Sequence, residues 1–330
     1  MSQPSPTRRK RRGRLLRFSA ALLVLCGVAA YLVVQYVTGG GGSHGCKVVS
    51  ATGAGTSYEF TPEQAANAAT IAAVGTGRNM PERAVTIALA TALQESGLRN
   101  IEHGDRDSLG LFQQRPSQGW GSAQQIMDPT YAAGIFYAHL AKVPGYADLP
   151  LTVAAQKVQR SGYPEAYAKH EPDAELLSAA LTGQAAATLT CDGRFAPAAQ
   201  AIGPDAVRAA LVRDFGRDAL QETGAEVGGA PVPSPSPSPS VTATASGRTV
   251  TVPVPLGTRT DASGRDERER GWQLAHWAVA NSSALHIQRV TYAGRVWIAG
   301  SDGGAWQQVR SQGVAGAEKS VGVVRIVTGQ

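Results

Sequence analysis

The 330-residue chain is too long for one average domain and carries a formal net charge of +6. Seven of its 31 Lys and Arg residues fall within residues 1–17, so the remaining 24 face 25 acidic residues and the bulk of the chain is near neutral. Nucleic-acid binding therefore has no electrostatic footing beyond that short tail.

Residues 1–17 read as a basic cytoplasmic tail. Residues 18–37 follow as an apolar run interrupted only by Ser19, Gly27 and Gln35. As a helix the run would extend about 30 Å, the thickness of bilayer hydrocarbon. Positive residues ahead of it put the N-terminus inside and the rest of the chain outside, a single-pass cell-membrane topology. A cleaved signal peptide is the alternative; the run is long for one, and no small-x-small site follows. Residues 38–59 read as a tether.

Thr61, Pro62 and Gln64 form a capping box that opens a helix running to Gly75. A second helix begins at Pro81, carries Val85, Ala88, Leu89 and Ala92 at helical spacing, and stops at Ser96 before Gly97. Residues 99–125 are rich in Gly, Asp, Ser and Gln, the chemistry of loops. Helical periodicity resumes over 128–140, 151–160 and 174–181. The segment 60–192 is thus a mainly α domain, with a helical extension at 193–223 centred on Pro204–Phe215. Residues 224–247 contain a Pro-Ser alternation that cannot bury a core and form a linker. Residues 248–330 read as a small α+β domain: a strand at 249–254, an amphipathic helix at 267–280, a hairpin around Ala293 and Gly294, and a last strand at 321–327. Trp272, Trp277, Trp297 and Trp306 are its expected core.

Outside a membrane, Cys46 and Cys191 read as a disulfide closing almost the whole first domain. Metal ligation is the weaker alternative, with only His44 close in sequence.

Glu95 shares the apolar stripe of its helix and lies in the last turn. Burial disfavours its anion, and so does the negative end of the helix dipole. A carboxylic acid held neutral is what protonation of a glycosidic oxygen requires. Its surroundings read Gln94-Glu95-Ser96-Gly97, then Gly104-Asp105-Arg106-Asp107-Ser108-Leu109-Gly110-Leu111-Phe112-Gln113. Over about residues 60–180 the chain resembles the lysozyme-like superfamily of soluble lytic transglycosylases and goose-type lysozymes, in a membrane-anchored actinobacterial variant.

The resemblance implies a mainly α lysozyme-like catalytic domain that cuts the MurNAc–GlcNAc bond of peptidoglycan without metal or cofactor. Glu95 would be the general acid and Asp105, in Gly104-Asp105-Arg106, the residue that positions water. Ser108 and Gln113 match motif residues near the acid. Gln114 and Trp120 of the following loop, and Gln156, Gln159 and Tyr163, would line the groove, and Trp120 is the best candidate to stack on a sugar. Tyr131, Tyr137 and Tyr167 are assigned to the core.

Two departures stand out. Arg115 occupies the place of a second aspartate, and Gln156 falls where relatives carry a tyrosine whose hydroxyl lies near the acid. An aspartate about 6.5–9.5 Å from Glu95 would leave room for an attacking water and inverting hydrolysis; otherwise the substrate's own hydroxyl or acetamido group attacks. The alternative function is a non-catalytic scaffold or peptidoglycan-binding protein on the same fold, favoured by Arg115 and Gln156.

Overall fold

The computed structural model describes residues 45–53, 55–160, 164–193, 202–217, 247–254, 266–301, 304–309 and 322–329. The basic tail, the apolar run 18–37, Tyr163 and nearly all of the linker 224–247 lie outside them.

Strands β1 (Cys46–Val49) and β2 (Ser57–Phe60) precede helices α1 (Pro62–Gly77) and α2 (Glu82–Ser96). Thr61 accepts from the Gln64 N–H while the Gln64 side chain accepts from the Thr61 N–H, the reciprocal cap the sequence implies. Short α3 (Ala123–Ile126) lies against α4 (Pro129–Leu140), and α4, α5 (Leu151–Gln159), a 3-10 turn at Pro164–His170 and α6 (Glu171–Leu181) pack around α2. Helix α2 is buried along almost all of its length, from Ala84 to Leu93. It is the central element, so its C-terminal end is held from several sides.

Strand β3 (Leu189–Cys191) returns beside β1, giving an antiparallel sheet of order β2-β1-β3. Cys46 and Cys191 lie opposite each other in that register and are joined by a disulfide. Helix α7 (Pro204–Phe215) follows, then β4 (Thr249–Pro253), α8 (Glu267–Ala280), short α9 (Ser282–Leu285), β5 (Ile287–Tyr292), β6 (Arg295–Ile298), β7 (Gln307–Gln308) and β8 (Val323–Thr328). These strands form a second antiparallel sheet of order β4-β8-β5-β6-β7.

The expected fold class, a mainly α domain led by a membrane-spanning helix and followed by a separate α+β module, is corrected in three ways. First, the protein is α+β with two antiparallel sheets. Strands β1, β2 and β3 have only three or four residues each, too few to display a period of two, and β1 and all of β2 but Phe60 lie in the segment read as a tether. Second, among the described residues no helix is long and apolar enough to cross a membrane, and the span expected at 18–37 lies outside them. Third, the described residues from Gly45 onward belong to one compact unit.

The reason for the third correction is α8. It is buried on every side from Gly271 to Ala280, not amphipathic. One side covers β5 and β8, and the other meets α1, α6 and β3. Its polar residues find partners across that boundary: Gln273 donates to Thr76 Oγ1, and His276 Nδ1 bonds the Ala180 carbonyl at 2.7 Å. Three indole N–H groups donate outward as well, Trp277 to Asp214 (2.8 Å), Trp297 to the Cys191 carbonyl (3.0 Å) and Trp306 to the Leu189 carbonyl (2.9 Å). Gly183, at φ 90°, lies so close to the Glu269 carbonyl that any Cβ would displace it.

Candidate functional site

Glu95 is the penultimate residue of α2, and the chain leaves the helix through Gly97 in the left-handed region (φ 62°). Two amides from α1 hold that exit: Gln64 donates to the Gly97 carbonyl at 2.7 Å and Asn67 to the Leu98 carbonyl at 2.9 Å. They satisfy the carbonyls of the C-cap residue and of the residue just beyond it. Ser96, buried, donates to the Leu111 carbonyl at 2.8 Å and so ties the next loop to the helix end.

That loop is a tight turn in which Leu109 and Gln114 exchange both backbone hydrogen bonds. Gln113 adopts φ 46°, and its side chain reaches the cleft with Gly104 directly against it. Gln114 is oriented the other way. It is buried and donates to the Ala132 carbonyl at 3.0 Å, so the expectation that it lines a groove is corrected to a core role. Its neighbour is aimed outward by the unusual φ, which leaves Gln114 to close the turn from below.

The cleft has a volume of about 930 Å³. Glu95, Asp105, Ser108, Gln113, Trp120 and Gln159 all line it. Six of the sequence-derived candidates therefore converge, although they come from α2, the loop that follows it and α5. Gln156, one turn before Arg160 on α5, is not part of the lining.

Burial pushes the Glu95 carboxyl above its ordinary range, outweighing hydrogen bonds from Tyr167 and Gln159 that favour the anion. The Tyr167 hydroxyl donates to Glu95 Oε1 at 2.7 Å. Its ring is fully buried, as a core residue should be, but its polar end belongs to the site. Tyr167 is thus the residue that sequence reasoning missed. The expectation that an amide at Gln156 replaces a tyrosine hydroxyl beside the acid is corrected: the hydroxyl is present and comes from the 3-10 turn. Gln159 also donates to the Phe112 carbonyl at 2.7 Å, which braces the helix against the loop.

The two aspartates part company. Asp107 is bound by Arg115 Nε at 2.7 Å and by the Ser117 N–H at 2.8 Å, and these bonds hold its carboxyl well below the usual range. It is a structural clasp for the loop. Asp105 is exposed at the rim of the cleft, and its backbone carbonyl accepts from the Ser108 N–H at 3.1 Å.

On another part of the lining, the Trp120 ring lies tilted by 35° over His139 with ring centroids 4.3 Å apart. The Tyr131 hydroxyl donates to the Trp120 carbonyl at 3.2 Å and fixes the loop that carries it. Among the described residues, no group of three or more His, Cys, Asp or Glu could hold a metal ion.

Residues 237–319 match the family model described as VldE, C-terminal domain. That stretch includes β4, α8, α9 and β5 to β7 and none of the residues that line the cleft. No curated protein matches the chain.

Proposed function

We propose that the protein cleaves the MurNAc–GlcNAc bond of peptidoglycan outside the cytoplasm, as a muramidase or lytic transglycosylase on a lysozyme-like scaffold. The observation that carries this reading is a sheltered Glu95, raised in pKa, that faces a cleft roomy enough for sugar rings while Tyr167 orients it. Protonated Glu95 gives its proton to the bridging oxygen as the bond to the anomeric carbon breaks. The hydroxyl of Tyr167 and the amide of Gln159 then stabilise the carboxylate left behind. The disulfide supports an oxidising compartment, where such a bond persists.

Asp105 is the aspartate available to take a proton from an attacking water, because Asp107 is committed to Arg115 and Ser117. Without that help, the muramyl C6 hydroxyl attacks the anomeric carbon, the Glu95 carboxylate accepts the proton that this hydroxyl loses, and an anhydro end results. Mass spectrometry of fragments released from purified cell walls separates the two, since the products differ by one water. Glu95→Gln is expected to abolish release in either case; equal release by both proteins would remove Glu95 from the mechanism.

A non-catalytic glycan-binding protein is the second reading, favoured by the withdrawal of Asp107 from the cleft. Binding without release of any fragment would establish it. Gln156 no longer supports it, because this residue is not part of the cleft.

A further inference from the structure

We propose that the wall of the cleft built from Trp120, His139, Lys142 and Arg160 is a subsite for a sugar ring that bears a free carboxylate. The protein thereby selects carboxylate-rich over neutral glycan. This rests on the glycan reading of the same cleft and names the class of glycan it takes.

The cleft is lined by five Lys and Arg side chains and by only two carboxylates, Glu95 and Asp105. Arg115 is neutralised by Asp107. Among the described residues, Arg106, Lys142, Lys157 and Arg160 form no ion pair. Of the carboxylates, Glu95 is biased towards its neutral form, which leaves Asp105 as the main counter-charge. Like charges brought together without partners oppose folding, and nothing in the packing of these exposed side chains repays that cost. An anionic ligand would.

The cations are also grouped. Lys142 lies one turn beyond His139 at the end of α4, and Arg160 leaves α5 with φ 53°. Lys142 and Arg160 line the cleft together with His139 and Trp120, and burial, then the charges of those two cations, hold His139 below its ordinary pKa. A half-buried indole offers a flat apolar face to a sugar, and two flanking cations offer hydrogen bonds to a carboxylate carried on it. A neutral polysaccharide has no use for that field.

The test uses the full-length protein with Glu95→Gln to prevent turnover, and calorimetric titration with three probes of equal length. These are muramyl glycan with free carboxylates, the same glycan with its carboxylates amidated, and a chitin oligosaccharide. The free form is expected to bind about tenfold more tightly than the others at low salt, about 1.4 kcal/mol. The preference should shrink as salt rises and disappear when Lys142→Gln and Arg160→Gln are added. Equal affinity for free and amidated glycan, persistence of the preference in the triple variant, or no binding to any probe would overturn the proposal. Wild-type digestion of cell walls is read separately. Cleavage without preference in binding refutes the subsite alone, and preference without cleavage refutes the enzyme alone.

Discussion

Replacing Tyr167 with Phe isolates the hydroxyl from the ring. The ring is fully buried and Phe retains it, so the packing loss is small; what goes is one hydrogen bond of 2.7 Å to Glu95. A bond to a charged group contributes about 1.5–3 kcal/mol, and this one strengthens as the acid becomes an anion. Gln159 remains as a second donor, so the expected loss in kcat lies at the low end, about tenfold. The pH profile supplies a sign. The hydroxyl favours the carboxylate, so its removal raises the Glu95 pKa further, and activity that needs the protonated acid should persist to higher pH. Digestion of purified cell walls from pH 4 to pH 9 measures both. An unchanged kcat with an unmoved alkaline limb would refute the role given to Tyr167, as would a limb displaced to lower pH.

Glu95→Gln should unfold at the same or a higher temperature near pH 7. Burial raises the folded pKa, so the stabilisation is full below the unfolded value and lost as pH rises through the folded one. A clear drop in Tm at pH 7 would contradict this. Cys46 and Cys191 are 145 positions apart, and on the chain-entropy model their bond stabilises by about 5 kcal/mol. Urea unfolding of the double Ser variant should show most of that loss, and a deficit below about 1 kcal/mol would count against it. Buried His276 is pushed down to about 4 from 6.5 by desolvation. The unfolded chain takes up this proton first, so about 3 kcal/mol is lost as pH falls from about 6.5 to about 4. His276→Gln should flatten that part of the stability profile, and an unaltered slope would show that other groups carry it. Trp277→Phe removes the indole donor to Asp214, a carboxylate with a fully buried side chain that also binds Arg213 and Thr70. A loss of about 1.5–3 kcal/mol in urea is expected, and no loss would mean that the contact does not hold α8 to α7.

Much of the candidate site was legible because its signals are local. The end of α2 follows from helical spacing and Gly97, and the convergence of Asp105, Ser108 and Gln113 on Glu95 follows from a short loop returning to that end. Gln114 was misplaced because neighbours in a tight turn face opposite ways, and which one faces the cleft depends on the positive φ at Gln113. Tyr167 was assigned to the core from its helical spacing, and its ring is buried there; no pattern within its own segment reveals where the hydroxyl ends.

The larger difference concerns residues 248–330. A capped helix with apolar residues around Trp272 and Trp277 is readable as a helix, and alternation marks the strands beside it. That the helix is buried on both sides is not readable, since the second side is covered by α1, α6 and β3, which lie far away in the chain. The amino-acid sequence by itself determined the elements that arise from neighbours up to four residues apart, their caps, the acid at a helix end and a pair of cysteines free to join. Only the tertiary structure decided that Tyr167 meets Glu95 across 72 positions, that Asp107 is occupied by Arg115, and that α8 joins two sheets into one body. Such contacts depend on how whole elements pack, and packing is a property of shapes brought together rather than of any short run of residues.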